Sequence, residues 1–331
     1  VFRYYDERNN LCGIIVTHVD DLLYAGNTKF QREIMRQVLS CFKISRMNGK
    51  DFTYLGWSIN QENGYISVNQ REYCKSIEPV TVNSKSPKDS ERFLNDSEKT
   101  KYQETLGKLL WLSSQTRPDL SYDTMELSTY TSSAKVKHLS ILNKVVKKVN
   151  YGPQEIKYTE MDIDQGELQV IFYSDASLGN LPNKIDSGRG YLVFISDGRK
   201  TSLVAWSSNK IKRVVHSVFG AETLGCVDGC SAAIYVRQLI SEILYDDPTK
   251  AVIPIVGYVD SNQLYQQVTS TKQCLDMRMR LDIAGIRQTV KSGEVKAIKW
   301  IPTKEMLADC LTKKNADCSK LKTTLERGRF C

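Results

Sequence analysis

Two hydrophobic periodicities alternate along this chain. Residues 11–19 (LCGIIVTHV) form an apolar, β-branched run, Asp20-Asp21 follows, and LLYAG resumes it at 22–26. Two strands joined at an Asp-Asp turn are predicted. Apolar positions then recur at Phe30, Ile34, Val38 and Leu39, the spacing of one helix face over 28–41. Alternation returns over 51–59 and 65–68, around the hairpin signal Glu62-Asn63-Gly64. Residues 79–99 are polar with Pro and Ser and read as a loop or linker. Helical spacing occupies 97–114, a turn at Thr116-Arg117-Pro118-Asp119 starts another helix, and helical character runs, with a break near 131–133, to about Asn150. Tyr151-Gly152-Pro153 stops it, and the main domain boundary is expected between Asn150 and Gly166.

The second block is more regular. Residues 168–174 (LQVIFYS) read as a strand ending in Asp175, and 190–196 and 202–207 as two strands joined at Asp197-Gly198. A long helix over 217–244 carries Glu222 in its first turns. A strand over 253–259 ends in Asp260; a helix over 276–290, a strand over 295–301 and a last helix from about Thr303, carrying Asp309, complete the order. Three strands in a meander pair antiparallel, and helical crossovers then add parallel strands. The fold class is therefore α/β (α+β) with a mixed sheet.

Length and composition narrow this picture. The 331 residues are 41% hydrophobic and 25% charged, a globular balance, and suggest about two domains. No apolar stretch approaches the ~18 residues of a membrane span, so no membrane partner is expected. The chain opens VFRYYDERNN without a Met and without an apolar leader, which suggests a fragment or processed product. Nine Cys without a C-x-x-C pair argue against a disulfide framework and for an intracellular protein. Three isolated His and no G-x-S-x-G element argue against a zinc site and a serine hydrolase. The net charge of +8 is clustered: 134–150 holds five Lys and no acid, and 272–304 holds eight Lys or Arg against three acids. Each run alone reads as a solvated helix face; together they point to a polyanionic partner such as nucleic acid.

Candidate chemistry then rests on carboxylates. Asp175 and Asp260 are predicted at the carboxyl ends of strands, where sites gather in α/β layouts, with Glu222 and Asp309 on the helices that follow. Four converging acids repel one another unless divalent cations neutralise them, and oxygen ligands suit Mg²⁺, with Mn²⁺ as the alternative. A pair of such ions activates water and stabilises a phosphodiester leaving oxygen. Singly, each acid has a structural explanation: a turn Asp, a helix cap at Asp260-Ser261-Asn262, a helix-dipole partner at Glu222, a surface Asp309. The combination in this order is what is specific.

The motifs FYSDAS (172–177), AETLG (221–225), VDSNQL (259–264) and LADCLTK (307–313), with SGRGYLVFISDG, VAWSSNK and KWIPTKEM between them, resemble the RNase H domain of copia-type retrotransposon Pol polyproteins. The resemblance implies an RNase H-like fold with a five-stranded mixed sheet and flanking helices. It also implies cleavage of the RNA strand of an RNA–DNA hybrid, with Asp175, Glu222, Asp260 and Asp309 as the catalytic set holding two metal ions. Arg280 stands where this family often has a His, and Ser261 where many relatives have Asn. Upstream, THVDDLLYAG resembles a reverse-transcriptase palm motif, with His18 in place of the usual Tyr and Asp20 and Asp21 as the polymerase-motif remnant. YLGWSI, ISVNQREYCKSI and LGKLLWLSSQTRPDLSYDTMELSTY are similar to the regions after it. The implied organisation is a truncated palm and start of thumb over 1–80, a mostly helical thumb and connection over 81–160, and RNase H over 161–331. Only 17 residues precede His18, too few for the family's first palm motif, so the chain is not expected to polymerise DNA.

Other expectations follow. Lys210, Lys212 and Arg213, ahead of the Glu222 helix, are candidate phosphate contacts. Trp206 and Trp300 lie among basic residues but in strand patterns, and are expected in the core. His216 reads as a solvated loop residue. An RNA–DNA hybrid would be read by backbone geometry, with strong salt dependence. The family context implies upstream reverse-transcriptase and integrase parts as partners, and a cytoplasmic virus-like particle or the nucleus as location. The rival reading is a non-catalytic, nucleic-acid- or partner-binding relic of a decayed or domesticated element.

Overall fold

The computed structural model describes residues 1–43, 47, 49–81, 87–150, 155–163, 168–245 and 253–330. The expected stop at Tyr151-Gly152-Pro153 lies outside them. Three sheets are present among these residues. β1 (Phe2–Tyr5), β2 (Leu11–His18) and β3 (Asp21–Gly26) form an antiparallel meander. α1 (Thr28–Phe30), a π-helical turn (Gln31–Met35) and α2 (Arg36–Cys41) follow it as one helical stretch. Asn27 caps that stretch by accepting a hydrogen bond from the Phe30 N–H.

The apolar run over 51–59 is two strands, not one. β4 (Asp51–Tyr54) and β5 (Trp57–Glu62) pair around Leu55-Gly56, whose φ values of 51° and 80° are those of a tight hairpin turn. β6 (Tyr65–Asn69) follows the predicted Asn63-Gly64 turn, and α3 (Arg71–Lys75) succeeds it. A fourth strand, β7 (Ile156–Thr159), was not legible in the sequence; it pairs with β6 across most of the intervening chain.

Between β6 and β7 lies a helical layer. α4 (Asp96–Gln115) begins in a capping box, with Asn95 and Glu98 each accepting a hydrogen bond from the other's backbone N–H. α5 (Ser121–Ser128) and α6 (Val136–Asn150) pack on it through Leu106, Leu109, Leu127, Leu139 and Leu142. Arg117 and Asp119, in the turn before α5, form a buried bidentate pair at 2.9 and 3.0 Å. The Arg117 guanidinium also donates to the Val149 carbonyl, and Lys322 lies 3.7 Å from Asp119.

The five-stranded sheet has the order β10-β9-β8-β11-β12: β8 (Gln169–Ser177), β9 (Gly188–Ser196), β10 (Thr201–Lys210), β11 (Ile255–Val259) and β12 (Ala297–Trp300). β9 runs antiparallel to β8 and β10, while β8, β11 and β12 are parallel. A three-strand meander extended by two parallel crossovers is the RNase H-like arrangement that the sequence motifs imply. β8 is central and buried on both faces, which explains its continuous apolar sequence. Val170 and Phe172 face a core shared with α7 (Val218–Leu244), α8 (Asn262–Thr269) and α9 (Arg280–Lys291). Ile171 and Tyr173 face the opposite core, closed by β7, the 3₁₀ turn Leu307–Leu311 and α10 (Ser319–Arg327).

That second core corrects the sequence reading at the C-terminal end. Instead of one helix from Thr303, there are two short 3₁₀ turns, Thr303–Glu305 and Leu307–Leu311, and then α10. Hydrogen bonds and ion pairs join the helical layer to this sheet. The Trp206 indole N–H donates to the Ser113 carbonyl at 2.8 Å, and Lys314 pairs with Glu126 at 2.8 Å.

Two stability predictions follow from these contacts. Asp119→Ala leaves a buried guanidinium without its partner and is expected to cost about 3–5 kcal/mol in urea unfolding. The double replacement Arg117→Met with Asp119→Leu is expected to cost less than Asp119→Ala alone. His138 is buried, its ring stacked 3.7 Å from Tyr130, and its Nδ1 accepts from the Lys135 N–H. Burial, then Lys137 and Lys135, push its pKa down to about 4. The unfolded chain therefore binds a proton near pH 6.5 that the folded chain refuses. Thermal midpoints are expected to fall as pH is lowered from 6.5 towards 4, and His138→Asn should flatten that part of the profile.

Candidate metal centre

Asp175, Asp260 and Asp309 reach one point from three elements, each offering a carboxylate oxygen within 4.8 Å of the others. Each is delivered differently. Asp175 lies inside β8, two residues short of its end rather than just beyond it, and is fully buried. Asp260 directly follows β11. Ser261, not Asp260, caps α8, its hydroxyl accepting from the Leu264 N–H, so Asp260 has no capping duty. The Trp300 indole N–H donates to the Asp260 carbonyl at 2.9 Å and fixes its backbone. Asp309 rides on the 3₁₀ turn Leu307–Leu311.

Close backbone approach makes the convergence possible. Gly190 pairs with Asp175 across β8 and β9. A Cβ there would stand 2.6 Å from the Leu311 Cβ and 3.1 Å from the Ser207 carbonyl oxygen. Its absence lets the turn bearing Asp309 lie on the sheet beside Asp175. Similarly, a Cβ at Gly229 would meet the Phe172 ring at 2.7 Å, so α7 sits directly on β8. Glu222, two turns earlier on α7, is buried and interacts electrostatically with Asp175 and Asp260, but it is not among the three acids whose oxygens meet within 4.8 Å.

The electrostatics follow from this burial. Burial pushes the Asp175 carboxyl up to about 7; Lys313 and the Thr312 hydroxyl oppose the shift, and Asp309 and Asp260 add to it. Burial, reinforced by Asp175 and Asp260, pushes Glu222 up to about 10. The cluster cannot hold all its negative charges without a cation. One Asp175 oxygen accepts from the Thr312 hydroxyl, while the other, Oδ1, is buried with no hydrogen-bond partner. An orphaned buried carboxylate oxygen facing two further Asp is a donor set suited to a hard divalent cation. Asp175, Asp260 and Asp309 would hold such an ion, with Glu222 adjoining.

Other predicted residues lie elsewhere. Val19-Asp20 forms the β2–β3 turn, with Val19 at φ 51° and 88% exposed, and Asp21 opens β3. Asp20 and Asp21 are exposed, and no third acid joins them among the described residues. Lys210 pairs with Asp186 and Arg213 with Asp282, while Lys212 is exposed with no carboxylate partner among the described residues. His216 is exposed, as expected. Trp206 is partly buried against the core, but Trp300 is 46% exposed, correcting its expected core position. Thr312 and Lys313, three and four residues beyond Asp309, touch the site directly; their contacts depend on the 3₁₀ turn Leu307–Leu311, which no local pattern announces.

The chain matches no protein-family model. It is 27% identical over 320 residues to a retrovirus-related Pol polyprotein from transposon RE2 of Arabidopsis thaliana, covering 90% of this chain and 20% of that protein. It is 27% identical over 215 residues to a transposon Ty5-1 protein of Saccharomyces cerevisiae, covering 61% of this chain and 67% of that one. The chain thus spans about a fifth of the length of the Arabidopsis relative. Among solved structures, the N-terminal RNase H domain of a Mycobacterium tuberculosis protein overlaps 44% of this chain and 91% of its own, at 18% identity and a TM-score of 0.33. The chain's own strand order, and not that overlap, defines its fold.

Gly190→Ala should drive Leu311 and its turn off the sheet. The expected cost is about 1–3 kcal/mol in chemical unfolding, accompanied by a loss of thermal stabilisation by Mg²⁺. Full stabilisation by Mg²⁺ in that variant would show that Asp309 does not depend on this approach.

Proposed function

We propose that this homologue of copia-type retrotransposon Pol polyproteins is, over residues 161–331, a metal-dependent endoribonuclease that cleaves the RNA strand of RNA–DNA hybrids. The observation that carries this reading is the meeting of Asp175, Asp260 and Asp309 around an orphaned, buried carboxylate oxygen, with Glu222 alongside. The RNase H-like strand order and the relationship to Pol polyproteins support the substrate class. In the same reading, residues 1–80 and 81–160 derive from reverse-transcriptase palm, thumb and connection. The remaining Pol parts are then partners, within a virus-like particle or the nucleus. No helix among the described residues is long and apolar enough to cross a membrane.

The chemistry divides between metal and protein. Two bound Mg²⁺ ions would supply an activated water and stabilise the 3′-oxygen leaving group. The chain's residues hold and orient. Thr312 keeps one Asp175 oxygen occupied, so that the other faces the site. Trp300 pins the backbone of Asp260. Lys212 stands free for phosphate, and the exposed indole of Trp300 borders the site where a nucleotide could stack.

The test is incubation of the full chain with a labelled RNA–DNA hybrid and Mg²⁺, beside Asp175→Asn and Glu222→Gln. Cleavage of the RNA strand alone is expected, reduced about 10²–10³-fold in both variants, since a bound metal contributes several kcal/mol to such a transition state. A folded wild-type chain that binds the hybrid and leaves it intact would support the relic and sink the nuclease.

A further inference from the structure

Lys313 is placed unlike any other cation among the described residues. Its ammonium lies 2.5 Å from Asp309 Oδ1 and 3.6 Å from the orphaned Asp175 Oδ1. It therefore occupies the space between two carboxylates of the candidate metal centre. The neighbouring Lys314 points elsewhere, to Glu126 at 2.8 Å. The backbone of Lys313 is fixed by its own turn: the Thr312 and Lys313 N–H groups both donate to the Asp309 carbonyl, at 3.1 and 3.0 Å. Asn180 holds the same turn from the sheet side, its amide donating to the Thr312 carbonyl at 2.6 Å and its side-chain oxygen accepting from the Gly188 N–H. The side chain itself is not locked. It is 38% exposed, and its hydrogen bond to Asp309 is the one it makes among the described residues. A long, flexible stem thus carries a positive charge into the cluster from the solvent side and can withdraw without moving the turn.

Two positive charges in one small carboxylate cage repel strongly. Asp309 cannot give the same oxygen to an ammonium and to a metal ion. Resting on the metal-centre reading above, we infer that Lys313 is a resident counter-cation. It neutralises Asp175 and Asp309 while the centre is metal-free, and its ammonium must leave Asp309 before a divalent cation can be held there. Lys313 keeps the buried acids compatible with folding and in return weakens metal binding. It is a positioning residue that sets the metal concentration at which the centre fills. Once displaced, its ammonium moves to the rim, where an incoming phosphate would meet it.

The inference is tested by Mn²⁺ titration of the full chain, read from the electron paramagnetic resonance signal of the free ion. Thermal midpoints with and without Mg²⁺ are taken alongside. The variants are Lys313→Met, Lys313→Gln, Lys313→Arg, Lys314→Met as a neighbouring charge control, and Asp175→Asn. The expected result is Mn²⁺ binding about tenfold tighter in Lys313→Met and Lys313→Gln, with Lys313→Arg and Lys314→Met close to wild type. The metal-free midpoint should drop in the two neutral variants, and the upward shift caused by Mg²⁺ should grow. Unchanged or weaker binding in the neutral variants, with wild type still binding and Asp175→Asn not, would overturn the role of Lys313 and leave the metal centre standing. No binding by wild type or by either neutral variant would overturn the metal centre and the inference with it. Because Lys313 is partly exposed, at least one of the two neutral variants is expected to fold, and each is sufficient for the comparison.

Discussion

A carboxylate buried in the central strand of a sheet is the constraint around which the C-terminal region is arranged. Removing Asp175 from water costs several kcal/mol unless its charge is compensated. The surrounding chain answers in a specific way. Thr312 occupies one oxygen, Lys313 approaches the other, and Gly190 leaves room for the turn that brings both. Gly229 lets α7 close against β8, which carries Glu222 towards Asp175. The two glycines also let core residues close up, Gly229 against Phe172 and Gly190 against Leu311, whereas Thr312 and Lys313 answer the carboxylate itself.

The protein also buries an ion pair, Arg117 with Asp119, whose surroundings differ from those of Asp175. Arg117 and Asp119 satisfy each other through two parallel hydrogen bonds, the guanidinium also donates to the Val149 carbonyl, and Lys322 lies 3.7 Å from Asp119. That pair is closed: both Asp119 oxygens are engaged by Arg117, and the turn before α5 is fixed. The Asp175 cluster is open, with an orphaned oxygen, two carboxyls raised by burial and a cation on a flexible stem. Complete satisfaction marks a structural buried charge; incomplete satisfaction marks one poised to bind.

Surface charge changes meaning in the same way once partners are known. The net charge of +8 and its basic runs pointed towards nucleic acid. In the fold, Lys210 and Arg213 are engaged by Asp186 and Asp282, and Lys148 is engaged by Asp123. Lys212 and Lys299 are exposed with no carboxylate partner among the described residues. Counting charges along the chain treats alike cations that folding pairs, such as Lys135, Lys137 and Lys148, and the cations of 272–304, none of which has a carboxylate partner among the described residues.

Local signals were legible in the sequence because local physics produces them. Asn63-Gly64 and Asp197-Gly198 made their turns, the continuous apolar run before Asp175 made a central strand, and Ser217 capped the long helix it precedes. The order of strands and helices, and with it the mixed sheet, could be read the same way. The 3₁₀ turn under Asp309, the strand β7, the helix α10 and the seat of Lys313 could not. Each is short, and each exists because a distant segment offers it something: β6 pairs with β7, the second face of the sheet needs α10, and Asp175 draws Thr312 and Lys313. The hairpin at Leu55-Gly56 was hidden for a related reason, since a tight turn of two residues barely interrupts an apolar run. The sequence by itself determined which residues could carry chemistry and in what order they arrive. Only the tertiary structure decided which of them meet, because burial and convergence are sums of contacts between segments that no local pattern contains.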